Sequence, residues 1–233
     1  MAKVSPSGRH QLLMCSAPMG STAFGSIDYP RTRVVMALPA ESAGVFEAAQ
    51  VPVLYCGVGK VNAAIALTRE LVRYRHAGEP LPVVLNFGTA GSRLHDTGAF
   101  LACHEFIQRD MDVRGLGFAA GVTPFDSAPV ALRFEPVFTH LLPAICGSGD
   151  SFVTDDSQAA AAAACGVFDM EAYALAKTCW LEGAKFACVK YVTDGADHTA
   201  AVDWQKSLHK AASEFLDLYH AVRSGSSRAT LGP

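Results

Sequence analysis

The chain alternates between short apolar runs and longer amphipathic stretches. Buried strands are predicted for the apolar runs at residues 33–38, 51–55, 81–87 and 186–192. Helices are predicted where apolar residues recur at helical spacing or where good helix formers dominate, at residues 61–74, 171–181 and 204–222. Strands that alternate with helices favour an α/β fold. We therefore predict a three-layer αβα sandwich around a mixed, largely parallel sheet.

The two ends of the chain lack this periodicity. Residues 1–31 mix Ser, Gly, Pro and Met without a repeating pattern, so they predict a loose N-terminal extension. We predict that residues 224–233 form a frayed C-terminal tail. Between them, residues 32–223 contain no clear linker and no internal repeat, and 233 residues suit one sizeable domain. We expect a single α/β domain over residues 32–223.

Composition narrows the possible functions by exclusion. Half of the residues are hydrophobic and 18% are charged, which is enough apolar material for a core. A net charge of −3 gives no reason to expect nucleic acid or an anionic membrane as a partner. No apolar run approaches the ~18 residues that span a bilayer, so we expect a cytoplasmic protein.

The 7 cysteines include no C-x-x-C pair and mostly have apolar neighbours. They are interpreted as reduced thiols that pack in the core. The 8 histidines are scattered, so neither a metal site nor a cofactor is expected.

Two glycine motifs follow predicted strands. Gly57-Val58-Gly59-Lys60 lacks the first glycine of a Walker A loop and has Val61 where that motif needs Ser or Thr. It predicts a tight strand-to-helix turn rather than a nucleoside triphosphate site. The segment 88–91 (Gly-Thr-Ala-Gly) either lets a ligand approach the backbone closely or forms a plain turn.

Carboxylates at the ends of one strand–helix–strand unit are the sharpest chemical signal. Asp169 and Glu171 begin the helix predicted at 171–181, and Asp194 and Asp197 follow the strand at 186–192. Ligands of α/β proteins bind at the carboxyl ends of the strands, where these groups are expected to lie. A helix cap explains Asp169 or Glu171 equally well, but it explains Asp194 less well. By themselves, these residues indicate a small-molecule enzyme that uses acid–base carboxylates.

Taken in order along the chain, six short motifs resemble the nucleoside phosphorylase/nucleosidase family, and within it the nucleosidases that release adenine from 5′-thio-substituted adenosines. The resemblance spans roughly residues 34–219. The motifs are Ala37-x-x-x-Glu41, Gly57-Val58-Gly59-Lys60-Val61, Asn86-x-Gly88-Thr89-Ala90-Gly91, Ser148-Gly149-Asp150-Ser151-Phe152, Asp169-Met170-Glu171 and Thr193-Asp194-Gly195-Ala196-Asp197.

The resemblance implies that two carboxylates carry the catalysis. Asp194 matches the acid that protonates N7 of the leaving adenine, and Glu41 matches the carboxylate that activates water. The family's phosphorylases carry an arginine where this chain has Asn86, so water is the expected nucleophile. Arg93 could be a phosphate ligand, but a surface role is favoured. Asp169 and Asp197 are interpreted as supporting residues that cap a helix and brace a loop.

The resemblance also implies a substrate-binding set. Glu171 matches the ligand of the ribose hydroxyls, with Met170 under the sugar and Thr89 beside it. Phe152 matches the ring that stacks on adenine, and the backbone of Val153 would read the base edge. Trp204 falls where an aromatic residue covers the 5′-thio substituent.

The expected protein is a homodimeric N-ribosyl hydrolase whose only ligand is a small nucleoside. Three alternatives remain open at this point. They are a purine nucleoside phosphorylase, a hydrolase of another nucleoside such as futalosine, and a non-catalytic nucleoside-binding protein.

Overall fold

The computed structural model describes residues 31–154, 165–196 and 200–223, and in the last helix side chains are described at residues 208 and 210–223. Residues 1–30 of the predicted extension (1–31) and the tail at residues 224–233 lie outside the described residues. The elements, in chain order, are β1 (Thr32–Met36), α1 (Pro39–Ser42), α2 (Val45–Ala48), β2 (Val53–Tyr55), α3 (Lys60–His76), β3 (Val83–Gly91), β4 (Phe100–Gln108), a short 3₁₀ helix (Arg114–Leu116), β5 (Ala131–Arg133), β6 (Leu142–Ser148), β7 (Val167–Asp169), α4 (Ala172–Glu182), β8 (Phe186–Asp194) and α5 (Ala200–Arg223).

The eight described strands form one mixed sheet. Strand β1 pairs in parallel with β2 and β3, strand β3 with β8, and strand β6 with both β4 and β7. The antiparallel pairings are β3 with β7, and β4 with β5 and β8. Because β8 pairs with both β3 and β4, and β7 with both β3 and β6, five strands close into a ring.

Helices pack against both faces of strand β3. Neighbouring residues of a strand point to opposite faces, and in β3 Val84 belongs to one buried cluster while Leu85 belongs to the other. Helices α3 and α4 pack on the first cluster, and α2 and α5 pack on the second. In the second cluster, the rings of Phe87 and Phe215 stack with their centroids 5.1 Å apart, and this contact fixes α5 against β3.

The mixed α/β fold with a largely parallel sheet agrees with the prediction. The three-layer sandwich stays a prediction, because the pairing closes part of the sheet into a ring. Strands β3 and β8 are longer than predicted and end at Gly91 and Asp194. The reason is that they pair with each other along their whole length, past a bulge at Ala90/Gly91. Tertiary pairing thus keeps residues 88–91 and 193–194 extended, although the predicted strands end before them.

The longest described helix, α5, is amphipathic over residues 210–223, where its side chains are described. Phe215, Leu218, Tyr219 and Val222 are buried, while His220 is exposed. No helix in the described part of the chain is both long and apolar enough to cross a membrane.

Six cysteines lie in the described part of the chain, and all six are free and buried, as predicted for core thiols. Burial raises the pKa of Cys56 to about 12 and that of Cys165 to about 11. These groups therefore remain protonated thiols at neutral pH.

A buried ion pair lies inside the strand ring. Lys190 of β8 and Asp169 of β7 meet with Nζ and Oδ2 2.9 Å apart, and their side chains are only 2% and 1% exposed. Burial alone would lower the pKa of Lys190, but the charge of Asp169 raises it well above its usual value. Burial likewise opposes ionisation of Asp169, but Lys190 and the Ser148 hydroxyl hold its pKa below the ordinary value. Each charge is therefore stable in the interior only because the other is present.

Replacing Lys190 by methionine is expected to destabilise the protein by about 3–5 kcal/mol, because Asp169 is then left buried without its counter-charge. Adding Asp169→Asn should restore part of that loss. Urea unfolding midpoints measure both effects. Arg114→Met removes an exposed arginine paired with Asp112 and serves as the control, which should leave the unfolding midpoint almost unchanged. Equal losses for Lys190→Met and Arg114→Met would contradict the argument.

Candidate active site

A cavity of about 390 Å³ opens where β1, β3, β4, β6, β7 and β8 end. This size suits a small organic ligand. Seven of the eight predicted site residues line it, namely Glu41, Thr89, Phe152, Val153, Met170, Glu171 and Asp194. The eighth, Trp204, lies in the part of α5 whose side chains are outside the described residues. The structure thus brings together side chains that are separated by up to about 150 positions in the sequence, and their roles stay predictions.

Glu41 is held rigidly at one side of the cavity. It lies in α1, which begins at Pro39 directly after β1. Its Oε2 accepts hydrogen bonds from the amides of Ala37 and Leu38 at 2.8 and 3.1 Å. Its Oε1 accepts from the amide and hydroxyl of Thr89 at 3.1 and 3.2 Å. Four donors from two strand ends therefore fix the orientation of this buried carboxylate.

Gly88 and Gly91 give room to protein side chains. A Cβ at Gly88 would lie 3.0 Å from Lys190 Nζ and 3.3 Å from Glu41 Oε1, and one at Gly91 would lie 2.7 Å from Asp194 Oδ1. The sequence left open a ligand approach or a plain turn at 88–91. The prediction of a plain turn is wrong, because the whole segment 88–91 belongs to β3. These glycines are needed because charged side chains of the site pack directly against the β3 backbone.

Asp194 is the last residue of β8 and is almost completely buried. Its Oδ2 accepts a hydrogen bond from the Thr193 hydroxyl at 2.8 Å, and its Oδ1 accepts one from the amide of Ala196 at 2.9 Å. The main chain of Asp194 is also fixed, because its carbonyl accepts from the amide of Ser92 at 3.0 Å. The carboxyl group is therefore oriented by its own loop, which continues into Asp197, a residue outside the described part of the chain.

Glu171 faces the cavity from the start of α4. Its Oε1 accepts a hydrogen bond from the amide of Gly59 at 2.8 Å, so the Gly57–Lys60 turn contributes to the site. Burial, and next the negative charge of Asp169, raise the pKa of Glu171 to about 8. At pH 7 this carboxyl group is therefore mostly protonated and can donate a hydrogen bond.

The carboxylate of Asp169 fixes the backbone at the start of α4, where Glu171 lies. Its Oδ2 accepts from the amide of Ala172 at 2.8 Å and contacts the amide of Glu171 at 3.3 Å. Its other oxygen accepts from the Ser148 hydroxyl. The predicted helix-capping role of Asp169 is confirmed. The same carboxylate also carries the ion pair with Lys190, which its position in the sequence did not indicate.

An aromatic ring stands on another side of the cavity. Phe152 is 45% exposed although it lines the pocket, so a face of the ring is free to stack on a flat ligand. The neighbouring Val153 is buried, which fixes the backbone next to the ring.

Charged residues to which the sequence analysis assigned no role hold the loop in front of Phe152. The amide of Lys60 donates to Asp150 Oδ1 at 2.8 Å, and its ammonium group pairs with Asp110. The amide of Asp150 donates to Asp110 Oδ2 at 2.9 Å. The guanidinium of Arg109 bonds to the carbonyls of Gly149 and Ser151 and lines the cavity itself.

The local sequence gave only a weak indication of this loop support. Arg109 and Asp110 directly follow a strand end, where functional side chains of α/β proteins concentrate. Their partners at positions 60 and 149–151 are distant in sequence, so only the fold shows which loop they hold.

Two residues that bear on phosphate binding lie outside the cavity, namely Asn86, which replaces the arginine of the family's phosphorylases, and Arg93, which was considered as a phosphate ligand. The side chain of Asn86 is buried and donates to the carbonyl of Val35 at 3.1 Å. Arg93 is exposed and donates to the carbonyl of Ala196 at 3.0 Å. Neither lines the cavity, and Arg109 is the only arginine or lysine among the described residues that does. Within the described ranges, no group of three or more His, Cys, Asp or Glu residues is arranged to hold a metal ion.

Comparison with known sequences gives relatives of similar length. A curated 5′-methylthioadenosine/S-adenosylhomocysteine nucleosidase from Geobacillus thermodenitrificans is 29% identical over 208 residues, which cover 81% of this chain and 85% of the relative. The enzyme of that name from Bacillus pumilus is 30% identical over 192 residues, covering 75% and 81%.

Solved structures share the fold. A nucleosidase of the same name from S. pneumoniae, bound to a transition-state inhibitor, superposes with a TM-score of 0.69 at 16% identity and covers 82% of this chain and 98% of its own. A futalosine hydrolase mutant from Helicobacter pylori gives a TM-score of 0.71 at 18% identity, covering 81% and 97%.

A family model decides the classification, because it covers most of the chain. The model described as "Phosphorylase superfamily" matches residues 42–222, a range that includes all described cavity-lining residues except those at the end of β1 and in α1. The chain therefore belongs to the phosphorylase superfamily, the family of nucleoside phosphorylases and nucleosidases, and its sequence relatives within that family are 5′-methylthioadenosine/S-adenosylhomocysteine nucleosidases.

Proposed function

We propose that this protein hydrolyses the N-glycosidic bond of 5′-thio-substituted adenosines, such as methylthioadenosine and adenosylhomocysteine, and releases adenine. One observation carries the proposal. Glu41, Glu171 and Asp194, from three distant parts of the chain, face one cavity beside the open ring of Phe152. The curated nucleosidase relatives support the same assignment.

Asp194 acts as the general acid in this proposal. As the bond between ribose C1′ and purine N9 breaks, its electron pair moves onto the base, and Asp194 donates its proton to N7. A neutral purine leaves far more readily than a purine anion, and general acid catalysis supplies about 10²–10⁴-fold. The two hydrogen bonds that orient the carboxyl group support this role.

Glu41 activates the water that attacks C1′. The carboxylate takes one proton from the water while the water oxygen bonds to C1′. The products are therefore adenine and the free 5′-thio-substituted ribose. The four hydrogen bonds from the ends of β1 and β3 hold Glu41 in one orientation before substrate binds. Its negative charge also stabilises the positive charge that develops on the ribose.

Glu171 binds the ribose hydroxyl groups. A mostly protonated Glu171 donates one hydrogen bond to the sugar and avoids placing another negative charge beside Asp169. Met170 packs under the ribose, Thr89 contacts it beside Glu41, and Trp204 covers the 5′-thio group. Phe152 stacks on adenine, and the Val153 backbone reads its edge.

Water rather than phosphate is the proposed nucleophile. The carboxylate of Glu41 stands where a phosphate anion would have to bind, and like charges repel. Asn86 and Arg93 are bonded to main-chain carbonyls away from the cavity. These observations disfavour a phosphorylase. A hydrolase of another nucleoside stays the second candidate, because the futalosine hydrolase of Helicobacter pylori shares the fold.

A non-catalytic binding protein is a poorer explanation of the site. Burying several carboxyl groups around one cavity costs folding free energy, and binding a neutral nucleoside does not need a water-activating carboxylate. The observed cluster of Glu41, Glu171 and Asp194 is more easily explained by catalysis.

We further propose that the chain is one domain over residues 32–223, with a three-layer αβα arrangement, and that it works as a cytoplasmic homodimer. Exposed apolar side chains, of which Val58 lines the cavity, support the dimer. They are Val58, Val61 and Ile65 around the start of α3, with Leu116 and Phe125 in the loop after β4.

The choice of nucleophile predicts how activity depends on phosphate. Release of adenine from methylthioadenosine should proceed in phosphate-free buffer, and added phosphate should leave the rate within about twofold. Adenine and sugar products are measured by chromatography. A strict need for phosphate, with a sugar 1-phosphate as product, would overturn the hydrolase assignment.

Replacing Asp194 by asparagine should lower kcat by about 10²–10⁴-fold, because the amide cannot give a proton to N7. Substrate affinity should change by only a few-fold, since the side chain keeps its shape. Steady-state kinetics and calorimetric binding of methylthioadenosine separate the two effects. Asp217→Asn, at an exposed position of α5, is the control. Full turnover by the Asp194 variant would remove this residue from the acid role.

The raised pKa of Glu171 predicts a dependence of stability on pH. A carboxyl group whose pKa is about 8 in the folded protein, against about 4.5 when unfolded, binds its proton more tightly in the folded state. Its ionisation therefore removes stability as the pH rises from about 4.5 to 8. Between pH 6 and 9, the wild type should lose about 2 kcal/mol more than Glu171→Gln, which cannot ionise.

Urea unfolding at the two pH values measures this difference. Glu79→Gln, at an exposed position, should follow the wild type. Parallel losses in the wild type and in Glu171→Gln would show that Glu171 is already ionised at pH 6.

A further inference from the structure

Three polar side chains around α1 form a network that no role above uses. Ser42 ends α1, Glu47 lies in α2, and Tyr55 is the last residue of β2. The hydroxyl of Tyr55 lies 2.6 Å from Ser42 Oγ and is in close contact with a carboxylate oxygen of Glu47, so it can donate to either. None of these three described residues lines the cavity, so the network does not bind the ligand itself.

The hydroxyl groups of this network meet at one carboxylate. Ser42 is only 1% exposed, and it can donate its single proton either to Glu47 at 3.0 Å or to the carbonyl of Pro39 at 2.9 Å. Burial, and next the hydrogen bond to Glu47, raise the pKa of Tyr55. The bond from Tyr55 in turn lowers the pKa of Glu47. At neutral pH the network therefore consists of two hydroxyl donors and an ionised acceptor.

The backbone of Tyr55 is fixed against the end of β1. Tyr55 pairs with Met36 in the parallel ladder between β1 and β2. The next two amides, of Cys56 and Gly57, donate to the carbonyls of Met36 and Ala37 at 2.9 and 3.0 Å. The hydroxyl of Tyr55 therefore projects from a strand that is tied to the residues from which α1 starts.

Helix α1 depends on such outside contacts for its position. It has only four residues, and a helix of that length is not stable through its own hydrogen bonds. It is followed by Ala43 and Gly44, whose φ angles of 46° and 76° are both left-handed. A residue other than glycine is uncommon in that conformation and is maintained by its surroundings. The bonds of Ser42 to Tyr55 and Glu47 hold α1 directly before this corner.

Glu41 and Ser42 are consecutive residues of α1, so a movement of the Ser42 hydroxyl also moves the Glu41 carboxylate. We propose that Tyr55 is a positioning residue, which together with Glu47 acts through Ser42 to hold Glu41 where it activates water. This inference rests on the proposed function, which gives Glu41 that role.

The proposal separates the rate of reaction from the binding of the nucleoside. Glu41 acts on water, whereas Phe152 and Glu171 are assigned to the base and the ribose. A displacement of Glu41 should therefore slow turnover and leave nucleoside affinity nearly unchanged. A misplacement of about 1 Å can cost about 10²-fold in rate. Loss of one hydroxyl group from the network should move α1 by less than that.

Tyr55→Phe should lower kcat for methylthioadenosine about tenfold, because it removes the donor to Ser42 and Glu47. KM for this nucleoside, and the calorimetric Kd of adenine, should stay within about twofold of the wild type. Tyr74→Phe is the matched control, because its hydroxyl accepts from Arg33 at 3.4 Å near the start of β1. It should keep the wild-type kcat. A kcat for Tyr55→Phe within about twofold of the wild type would overturn the proposal, and so would a tenfold weaker binding of adenine.

A double variant tests whether the network acts as a unit. Glu47→Ala should lower kcat by a factor similar to that of Tyr55→Phe, and Glu47→Gln, which keeps an acceptor oxygen, should lower it less. The double variant Tyr55→Phe/Glu47→Ala should be within about twofold of the slower single variant, because both changes break the same network. Loss factors that multiply would show that the two residues act independently and would contradict the proposal.

Amide hydrogen exchange, followed by NMR, tests the position of Glu41 without any turnover. The amides of Ala37, Leu38 and Thr89 donate to the Glu41 carboxylate, whereas the amide of Gly59 donates to Glu171. In Tyr55→Phe, the first three amides should exchange at least about fivefold faster, and Gly59 should keep its rate. Unchanged exchange at the three amides would overturn the proposal. Equal acceleration at all four would also overturn it, because that result indicates a general loss of stability.

The two kinds of measurement separate this proposal from the function on which it rests. If the wild-type protein cleaves no nucleoside, the proposed hydrolase function fails. The exchange rates of the amides bonded to Glu41 then still decide whether Tyr55 positions this carboxylate.

Discussion

The buried pair of Lys190 and Asp169 is the interaction on which the site depends. It joins two strands of the ring, β8 and β7, and each of these strands ends in the cavity. Asp169 also binds the first amides of α4, which place Glu171, and Lys190 lies against Gly88 beside Glu41. A salt bridge in the interior adds little net stability when compared with apolar packing. Its value here is that it fixes several functional groups relative to one another.

The same pair explains why two neighbouring carboxyl groups behave differently. Asp169 faces a lysine and a hydroxyl and stays ionised, whereas Glu171 is buried beside that negative charge and holds its proton at neutral pH. Different environments thus shift the pKa values of the two neighbouring groups in opposite directions. The closed strand ring makes this possible, because it keeps water away from the charges on β7 and β8.

Two sets of residues line the cavity, and different contacts hold each set in place. The carboxyl groups and Met170 form one side, and the Ser151–Val153 segment forms another, which Arg109, Asp110 and Lys60 support from behind. Main-chain amides and threonine hydroxyls hold Glu41 and Asp194, whereas ionic contacts between distant loops hold the Phe152 segment.

The sequence by itself determined the fold class, the order of the main strands and helices, and the carboxylates Glu41, Glu171 and Asp194, because hydrophobic period and ordered motifs are local properties. Only the tertiary structure decided the closure of the strand ring, the extension of β3 and β8 past their glycine-rich ends, and the positions of Lys190 and Arg109. These features depend on contacts between segments far apart in the chain. A lysine in an apolar strand is not identifiable as half of a buried ion pair until its partner is placed beside it. The bonds of Arg109 to the carbonyls of Gly149 and Ser151 likewise depend on segments that are brought together only in the folded chain.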